Sequence, residues 1–187
     1  MSTTHHAVKM IREEHEALRA VLHSVSYVIA SARDRCALPD FKLLRSMLLY
    51  VVEFPERFHH TKENHLLFPR IRERCPPFAP VLDRLEAEHE RGESGVRDLE
   101  HALAAFELLG ETRRIPFEEA AMRFVEGYLG HMEVEEQYIL PVAEEYLTES
   151  DWSELDAAFA THRDPLAGAD LTEGLLPLMW SAPARPV

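Results

Sequence analysis

Two stretches of the chain repeat a pattern of residue types that can bind a metal ion. His59 is followed four residues later by Glu63, and His131 is followed four residues later by Glu135. Three apolar or aromatic residues and a proline then follow at matching offsets in both stretches. Because residues four apart lie about 40° apart on one face of an α-helix, each pair can direct an imidazole and a carboxylate at one ion or at two adjacent ions.

Two single histidines precede these pairs at similar distances. His15 lies 44 residues before His59, and His89 lies 42 residues before His131. The chain therefore indicates two copies of a helix pair, and each copy supplies one histidine and then a His-x-x-x-Glu pair. Imidazole and carboxylate ligands suit iron, and a carboxylate can bridge two metal ions.

Four long segments carry the helical spacing of apolar residues, which predicts helices at about residues 8–33, 41–73, 78–109 and 116–146. Asp40 is the predicted N-cap of the second helix, and Pro55 should kink that helix one turn before His59. Gly110 should end the third helix. Since short loops join the segments, neighbouring helices should be antiparallel, so the predicted fold is an all-α, up-down four-helix bundle.

The predicted helix ends place His15 and His59 at one level of the bundle, because both lie 18 residues from an end of the loop between their helices. Burial of Glu63 or Glu135 without a partner would be costly, and the inner stripes lack Arg and Lys. A metal centre therefore explains these residues better than the alternative, in which each histidine is an ordinary hydrogen-bonded core residue.

The last part of the chain has a different pattern, so the bundle is predicted to span residues 1–147 and a second region residues 148–187. Asp151 and Glu154 form a capping signature for a short extra helix from Trp152 to about Thr161. The irregular, Pro-rich tail beyond it should pack its apolar residues on the bundle or on a partner. Those residues are Leu175, Leu176, Leu178 and Trp180.

The other histidines are predicted to lie outside the centre. His60 shares a helical stripe with Glu53, Glu56 and Asn64, which indicates a solvated face, so His59 is preferred to it as a ligand. His23 and His101 are predicted to lie on outer faces, and His162 lies beyond the bundle. His65 is predicted to lie beside the site, where it could support a ligand.

The residues from Phe58 to Glu63, followed by Leu67-Phe68-Pro69, resemble the hemerythrin-like (HHE) family, and the resemblance covers roughly residues 7–147. It implies a non-heme centre of two iron ions bridged by Glu63 and Glu135, although other divalent metals could load recombinant protein. The ligands that it implies are His15, His59, Glu63, His89, His131 and Glu135.

One position departs from the oxygen-carrying members of that family, which have a second histidine four residues after the histidine of the third helix. Here that position is Glu93. The resemblance therefore favours members that handle nitric oxide, peroxide or iron over a reversible oxygen carrier. Glu93 could be an extra ligand, could hold a water molecule or could merely lie near the site. Behind the ligands could stand two proton-relaying acids, Glu14 and Glu88, and two hydrogen-bonding or redox-active tyrosines, Tyr128 and Tyr138. The alternative is that the acids are solvated and the tyrosines only pack.

Two other metal sites are less consistent with the pattern. A ferritin-like site needs Glu-x-x-His on the second and fourth helices, but Glu56-x-x-His59 and Glu86-x-x-His89 fall on the second and third. A structural zinc ion prefers four ligands in a tetrahedron, whereas the repeated pattern supplies six candidate ligands here.

Two functions stay open: binding or reduction of O₂, NO or peroxide, and a non-catalytic module that senses, stores or delivers iron or senses oxygen. Whether the protein is an enzyme is likewise open.

Composition excludes several kinds of partner. A formal net charge of −13 disfavours binding to nucleic acid and to anionic membranes. The chain has no apolar run of the roughly 20 residues that span a bilayer, and its N-terminus has no apolar core typical of a secretory signal. A cytoplasmic location is therefore expected.

Cys36 and Cys75 should be free thiols, because a helix of about 30 residues would hold them roughly 45 Å apart. The redox partner is not indicated, and monomer and homodimer are both compatible with the sequence.

Overall fold

The computed structural model describes residues 5–161 and 164–168, apart from the side chain of residue 93. In this part of the chain every regular element is helical. Helix α1 spans His6–Asp34, α2 spans residues 41–74, α3 spans Ala79–Leu109, α4 spans residues 114–146 and α5 spans Glu149–Phe159. Short 3₁₀ turns at Pro76–Phe78 and Gly110–Arg113 precede α3 and α4. The predicted helices are present, with ends shifted by about two residues.

The first four helices pack as a helical bundle, in which α1 and α3 each contact both α2 and α4. The Asp40 side chain caps α2 as predicted, since its Oδ1 accepts a hydrogen bond from the Leu43 N–H at 2.9 Å. Gly110 follows α3 with a φ of 74°, a backbone conformation that glycine adopts more easily than other residues. These local signals set where each long helix begins and ends.

Two of the long helices are not α-helical throughout. Helix α2 contains π-helical turns at Val52–His59 and Glu63–Leu67, and α4 contains one at Glu135–Ile139. Pro55 lies inside the first of them, where a wider turn accommodates a residue that has no N–H to donate. Because a π-helical turn adds a residue, the inward face after it no longer follows the α-helical spacing.

Tyr138 shows the effect of this change in register. The α-helical spacing predicts that it faces the core side of α4, but it follows the start of the π-helical turn and is 55% exposed. Ile139 and Leu140 are buried instead. The predicted role of Tyr138 beside the metal centre is therefore wrong.

Buried apolar side chains form two clusters along the bundle, and a polar layer separates them. In α1, residues Ala7 to Ile11 belong to one cluster and Leu18 to Val25 to the other, with His15 between them. Helix α3 has the same order, and the antiparallel helices α2 and α4 have the reverse order along the chain. The apolar clusters thus hold one polar level of the bundle in place from both sides.

Helix α5 packs on α1 and begins earlier than predicted. Its N-cap is Thr148, and Asp151 completes a capping box: the Asp151 Oδ2 accepts from the Thr148 N–H at 2.9 Å and the Thr148 hydroxyl accepts from the Asp151 N–H at 3.3 Å. Trp152 is the fourth residue of the helix rather than the first.

Residues 164–168 lie against the bundle after α5. The Tyr50 hydroxyl donates a hydrogen bond to the buried Asp164 carboxylate, and Leu166 packs against the cluster that contains Leu18. The predicted positions of His162 and of the tail residues Leu175, Leu176, Leu178 and Trp180 lie outside the described residues.

Both Cys36 and Cys75 are free thiols, as predicted. In the described ranges, none of the helices combines the length and the apolar character needed to cross a membrane.

Candidate metal centre

Six buried side chains meet in the polar layer between the two apolar clusters. They are the six residues that the sequence predicts as ligands: His15, His59, Glu63, His89, His131 and Glu135, each at most 6% exposed. Their potential ligand atoms form two groups, each within 4.8 Å, and both groups contain Glu63 and Glu135. One group adds His15 and His59, and the other adds His89 and His131. The two carboxylates therefore lie where they could bridge two ions.

The four imidazoles direct the same ring nitrogen toward the centre. The Nε2 atoms of His15 and His59 are 3.1 Å apart, and those of His89 and His131 are 2.8 Å apart. Oxygens of Glu63 and Glu135 lie 3.2 Å from His59 Nε2 and 3.1 Å from His131 Nε2, respectively. Nitrogen and oxygen acceptors thus converge from four helices on one small volume.

The opposite ring nitrogen of each histidine faces an oxygen acceptor on a neighbouring helix. His59 Nδ1 lies 2.6 Å from Glu14 Oε2, and His131 Nδ1 lies 3.0 Å from Glu88 Oε2. These two glutamates stand behind the histidines as the sequence predicts. Since a carboxylate only accepts, each Nδ1 donates, and this fixes the orientation of the ring.

Two further acceptors were missed by the sequence analysis. His15 Nδ1 lies 2.8 Å from Glu136 Oε1, and His89 Nδ1 lies 2.7 Å from Asn64 Oδ1. Both acceptors directly follow a central glutamate, Glu63 or Glu135, in the repeated pattern. That equivalent position was the signal that could have identified them.

The donor set of the centre fits a metal cation. Glu63 Oε2 and both carboxylate oxygens of Glu135 are buried, and the nitrogens that face them are Nε2 atoms of the centre itself: His89 at 3.6 Å from Glu63, and His15 at 3.3 Å and His131 at 3.1 Å from Glu135. With the Nδ1 protons directed outward, the lone pairs of the Nε2 atoms also point at the centre. Uncompensated burial of so many acceptors is costly, and a cation coordinated by nitrogen and oxygen removes that cost.

Without a metal, protons supply the missing positive charge. Burial opposes protonation of His131, but the charge of Glu135 and the hydrogen bonds to Glu135 and Glu88 outweigh it and raise the pKa of His131 to about 10. For His59, burial is likewise outweighed by Glu63 and Glu14, so its pKa is raised well above the usual value. Burial lowers the pKa of His89 to about 3. The charge of His131 overcomes burial and lowers the pKa of Glu135 well below its usual range.

His60 is buried, so the prediction that it lies on a solvated face is wrong. It follows the π-helical turn that contains Pro55, and this turn rotates it inward. Its ring nitrogens come within 4.8 Å of ligand atoms of His89 and His131. However, its ring stacks on that of His89 at 3.9 Å with an angle of 11° between the planes. Two offset, parallel rings cannot direct in-plane lone pairs at the same ion, so His60 flanks the centre.

Tyr128 lies close to the centre, as predicted, but it faces a carboxylate. Its hydroxyl donates to Glu56 Oε1, and its ring centroid is 6.1 Å from that of His60. The predicted place of the Glu93 side chain lies outside the described residues. His23 and His101 are exposed, as predicted. His65 is also exposed, and its Nδ1 donates a hydrogen bond to the Thr61 carbonyl rather than to a residue of the centre.

Comparison with protein families gives an independent result. The hemerythrin HHE cation-binding domain matches residues 6–143, which include all four long helices up to the last turn of α4. The chain belongs to the hemerythrin HHE family. A search of curated proteins gives no significant match. The hemerythrin domain binds metal cations, and in this chain its buried His and Glu groups could hold a metal.

Gly92 is the point where α3 makes room for the Glu56–Tyr128 hydrogen bond. A Cβ at this position would lie 2.6 Å from Glu56 Oε1 and 2.9 Å from the Tyr128 hydroxyl. Gly92→Ala should therefore disrupt this hydrogen bond and lower the free energy of unfolding by about 1 kcal/mol, as measured by urea denaturation.

Gly95→Ala is the matched control in the same helix, since its Cβ would meet Phe124 at an ordinary 3.8 Å. This variant should be as stable as the wild type or more stable by up to about 1 kcal/mol, because alanine favours helix. Equal effects at both positions would contradict the close approach at Gly92.

Metal uptake should release protons at pH 7. The metal-free centre holds a proton on His131, whose pKa is about 10, and another on His59, whose pKa is also raised. Because a metal needs the Nε2 lone pairs, these protons must leave, and affinity should fall as the pH falls. Calorimetric titration of the metal-free protein in buffers of different ionisation enthalpy measures this release, and a buffer-independent heat would contradict it.

Proposed function

We propose that the protein is a non-heme di-iron hemerythrin-like protein that binds or reduces a small ligand, namely O₂, NO or peroxide. The observation that supports this most directly is the pair of ligand groups that share Glu63 and Glu135. Each group offers two imidazoles and two carboxylates, so the proposed ligands are the six residues that the sequence predicts. Because Glu63 and Glu135 belong to both groups, their carboxylates could bridge two ions, which favours a centre of two ions over a centre of one.

Iron is the proposed metal because of the ligand types and their number. Four ligands around each ion leave positions free on a six-coordinate metal, whereas structural zinc sites are tetrahedral and closed. An iron pair supplies oxidation-state changes and open positions for O₂, NO or peroxide. The two free cysteines agree with a reducing, cytoplasmic setting.

The residues of the chain have separate tasks in this proposal. Glu14, Glu88, Asn64 and Glu136 orient the four imidazoles through their Nδ1 atoms. Glu88 is also partly exposed and lines the cavity beside the centre, so it can exchange protons between His131 Nδ1 and solvent. Glu14 is buried, which suits a fixed negative charge that orients His59.

A non-catalytic module that senses or stores iron, or senses oxygen, is the second candidate. The observation that favours it is the restraint on all four imidazoles, whose Nδ1 atoms are each held by an acceptor. A centre of this kind retains metal well. It would bind a ligand reversibly and pass a conformational change to a partner.

Substitution of the proposed ligands tests the centre itself. Glu63→Ala and His131→Ala should each lower iron content by at least about half and lower the Tm as well, because metal binding stabilises the folded state. Iron analysis should find two ions per wild-type chain, together with the near-ultraviolet bands of a bridged ferric pair.

His23→Ala and His101→Ala are matched controls, since both histidines are exposed and outside the centre. These variants should retain two irons and the wild-type Tm. Unchanged iron content in Glu63→Ala and His131→Ala would rule out the proposed ligands.

Turnover separates the two candidate functions. For a reducing protein, the di-iron form supplied with an electron donor should consume many equivalents of hydrogen peroxide or nitric oxide, as followed with an electrode. A sensor or store should instead take up about one equivalent per centre and release it reversibly. Loss of consumption in Glu63→Ala, but not in His23→Ala, would assign the activity to the centre.

A further inference from the structure

One face of the bundle, formed by α1 and α4, carries exposed apolar side chains far from the metal centre. Ile115 and Met122 lie about two helical turns apart on α4 and are 66% and 58% exposed. Tyr27 on α1 is 66% exposed and lies more than three turns beyond His15, about 18 Å along the helix axis. Large apolar side chains that are grouped on a surface in this way indicate a site of interaction.

A groove of about 290 Å³ lies between the two helices on this face. Ile29 and Ala30 line it from α1, and Ala121 and Met122 line it from α4. Tyr27 precedes Ala30 by three positions, so its exposed ring lies on the same side of α1, beside the groove. The α1–α4 face therefore offers both a hole and protruding side chains.

The charged groups of the α1–α4 face are balanced. Carboxylate oxygens of Glu118 lie 3.8 Å from the Arg33 guanidinium and 3.5 Å from that of Arg114. A carboxylate oxygen of Glu119 lies 4.0 Å from the Arg123 guanidinium. The arginines of this set outnumber its carboxylates, whereas the chain has a formal net charge of −13. The excess negative charge of the chain therefore lies mainly outside this set of residues.

This charge distribution indicates what kind of molecule fits the face. A basic partner would be attracted to the acidic remainder of the chain rather than to a balanced face. Two copies of an acidic chain repel each other within a Debye length, about 8 Å at physiological salt, and they approach with least repulsion where each is balanced.

The shape of the face also suits a second copy. A contact between two identical faces requires that each face be complementary to itself. A groove beside the protruding Tyr27, with both signs of charge at its edge, meets this requirement. Tyrosine, methionine and arginine are also enriched in protein interfaces, and Tyr27, Met122 and Arg33 belong to this face.

We propose that the α1–α4 face is an interface between two copies of this chain, related by a two-fold axis. Tyr27 and Met122 of one copy fill the groove of the other. The face is small, since residues 27–33 and 115–122 extend only about 10 Å along their helices, so the dimer is weak and reversible. The inference does not rest on the proposed function, because it uses residues outside the metal centre.

Sedimentation equilibrium of the full-length chain tests this proposal. The average mass should rise from the 21.5 kDa of one chain toward twice that value as the protein concentration is increased. Raising NaCl from about 0.05 M to about 0.5 M should strengthen association by about threefold or more, because salt screens the repulsion between the acidic chains.

Variants of exposed residues locate the interface. Met122→Glu and Tyr27→Glu place negative charges opposite each other across the proposed contact, so each should lower the association constant by about tenfold or more. Leu49→Glu is the matched control, since Leu49 is 56% exposed but lies on α2. It should change the association constant by less than about twofold. Circular dichroism and the Tm should show that all three variants are folded like the wild type.

The other outcomes overturn the proposal. A wild-type chain that remains monomeric at about 1 mM would do so, because even a weak interface of this kind is populated at that concentration. If wild type is monomeric but Trp180→Ala dimerises, the C-terminal tail of the same chain occupies the face. Equal dimerisation of wild type and Met122→Glu places the contact elsewhere, and association that weakens with salt points to oppositely charged surfaces. Iron content enters none of these measurements, so this inference and the proposed function fail separately.

Discussion

The structure depends on the burial of two carboxylates whose polar neighbours in the centre are the ring nitrogens of histidines. Glu63 and Glu135 lie between two apolar clusters, where an uncompensated charge is costly. Positive charge must come either from protons on His59 and His131 or from a metal. The positions of the four histidines follow from this requirement, since each adds a nitrogen at the same level of the bundle.

A closed ring of hydrogen bonds keeps these nitrogens in place. Each long helix contributes one acceptor, which is the sequence neighbour of a central residue on the same helix. That acceptor binds the histidine Nδ1 of a neighbouring helix. The four acceptors are Glu14, Asn64, Glu88 and Glu136. Helix packing and imidazole orientation are therefore coupled, so a shift of one helix misplaces a ring on the next.

The repeated pattern was sufficient to predict the four helices and the convergence of the six central side chains, while their role as ligands stays a proposal. It failed where the helices leave α-helical spacing. His60 was expected in solvent and Tyr138 near the centre, and the π-helical turns reverse both positions. Pro55 indicates an irregularity but not an inserted residue. Asn64 and Glu136 lie outside the predicted set because they accept from histidines of other helices, a contact that spacing within one helix does not indicate.

Helix α5 and residues 164–168 close the side of the bundle next to His15 and His59, since Lys62 donates a hydrogen bond to the Thr161 carbonyl and the Tyr50 hydroxyl donates one to Asp164. An ion held by His15 and His59 would therefore be shielded from a chelating molecule on that side until the contacts of Lys62 and Asp164 broke.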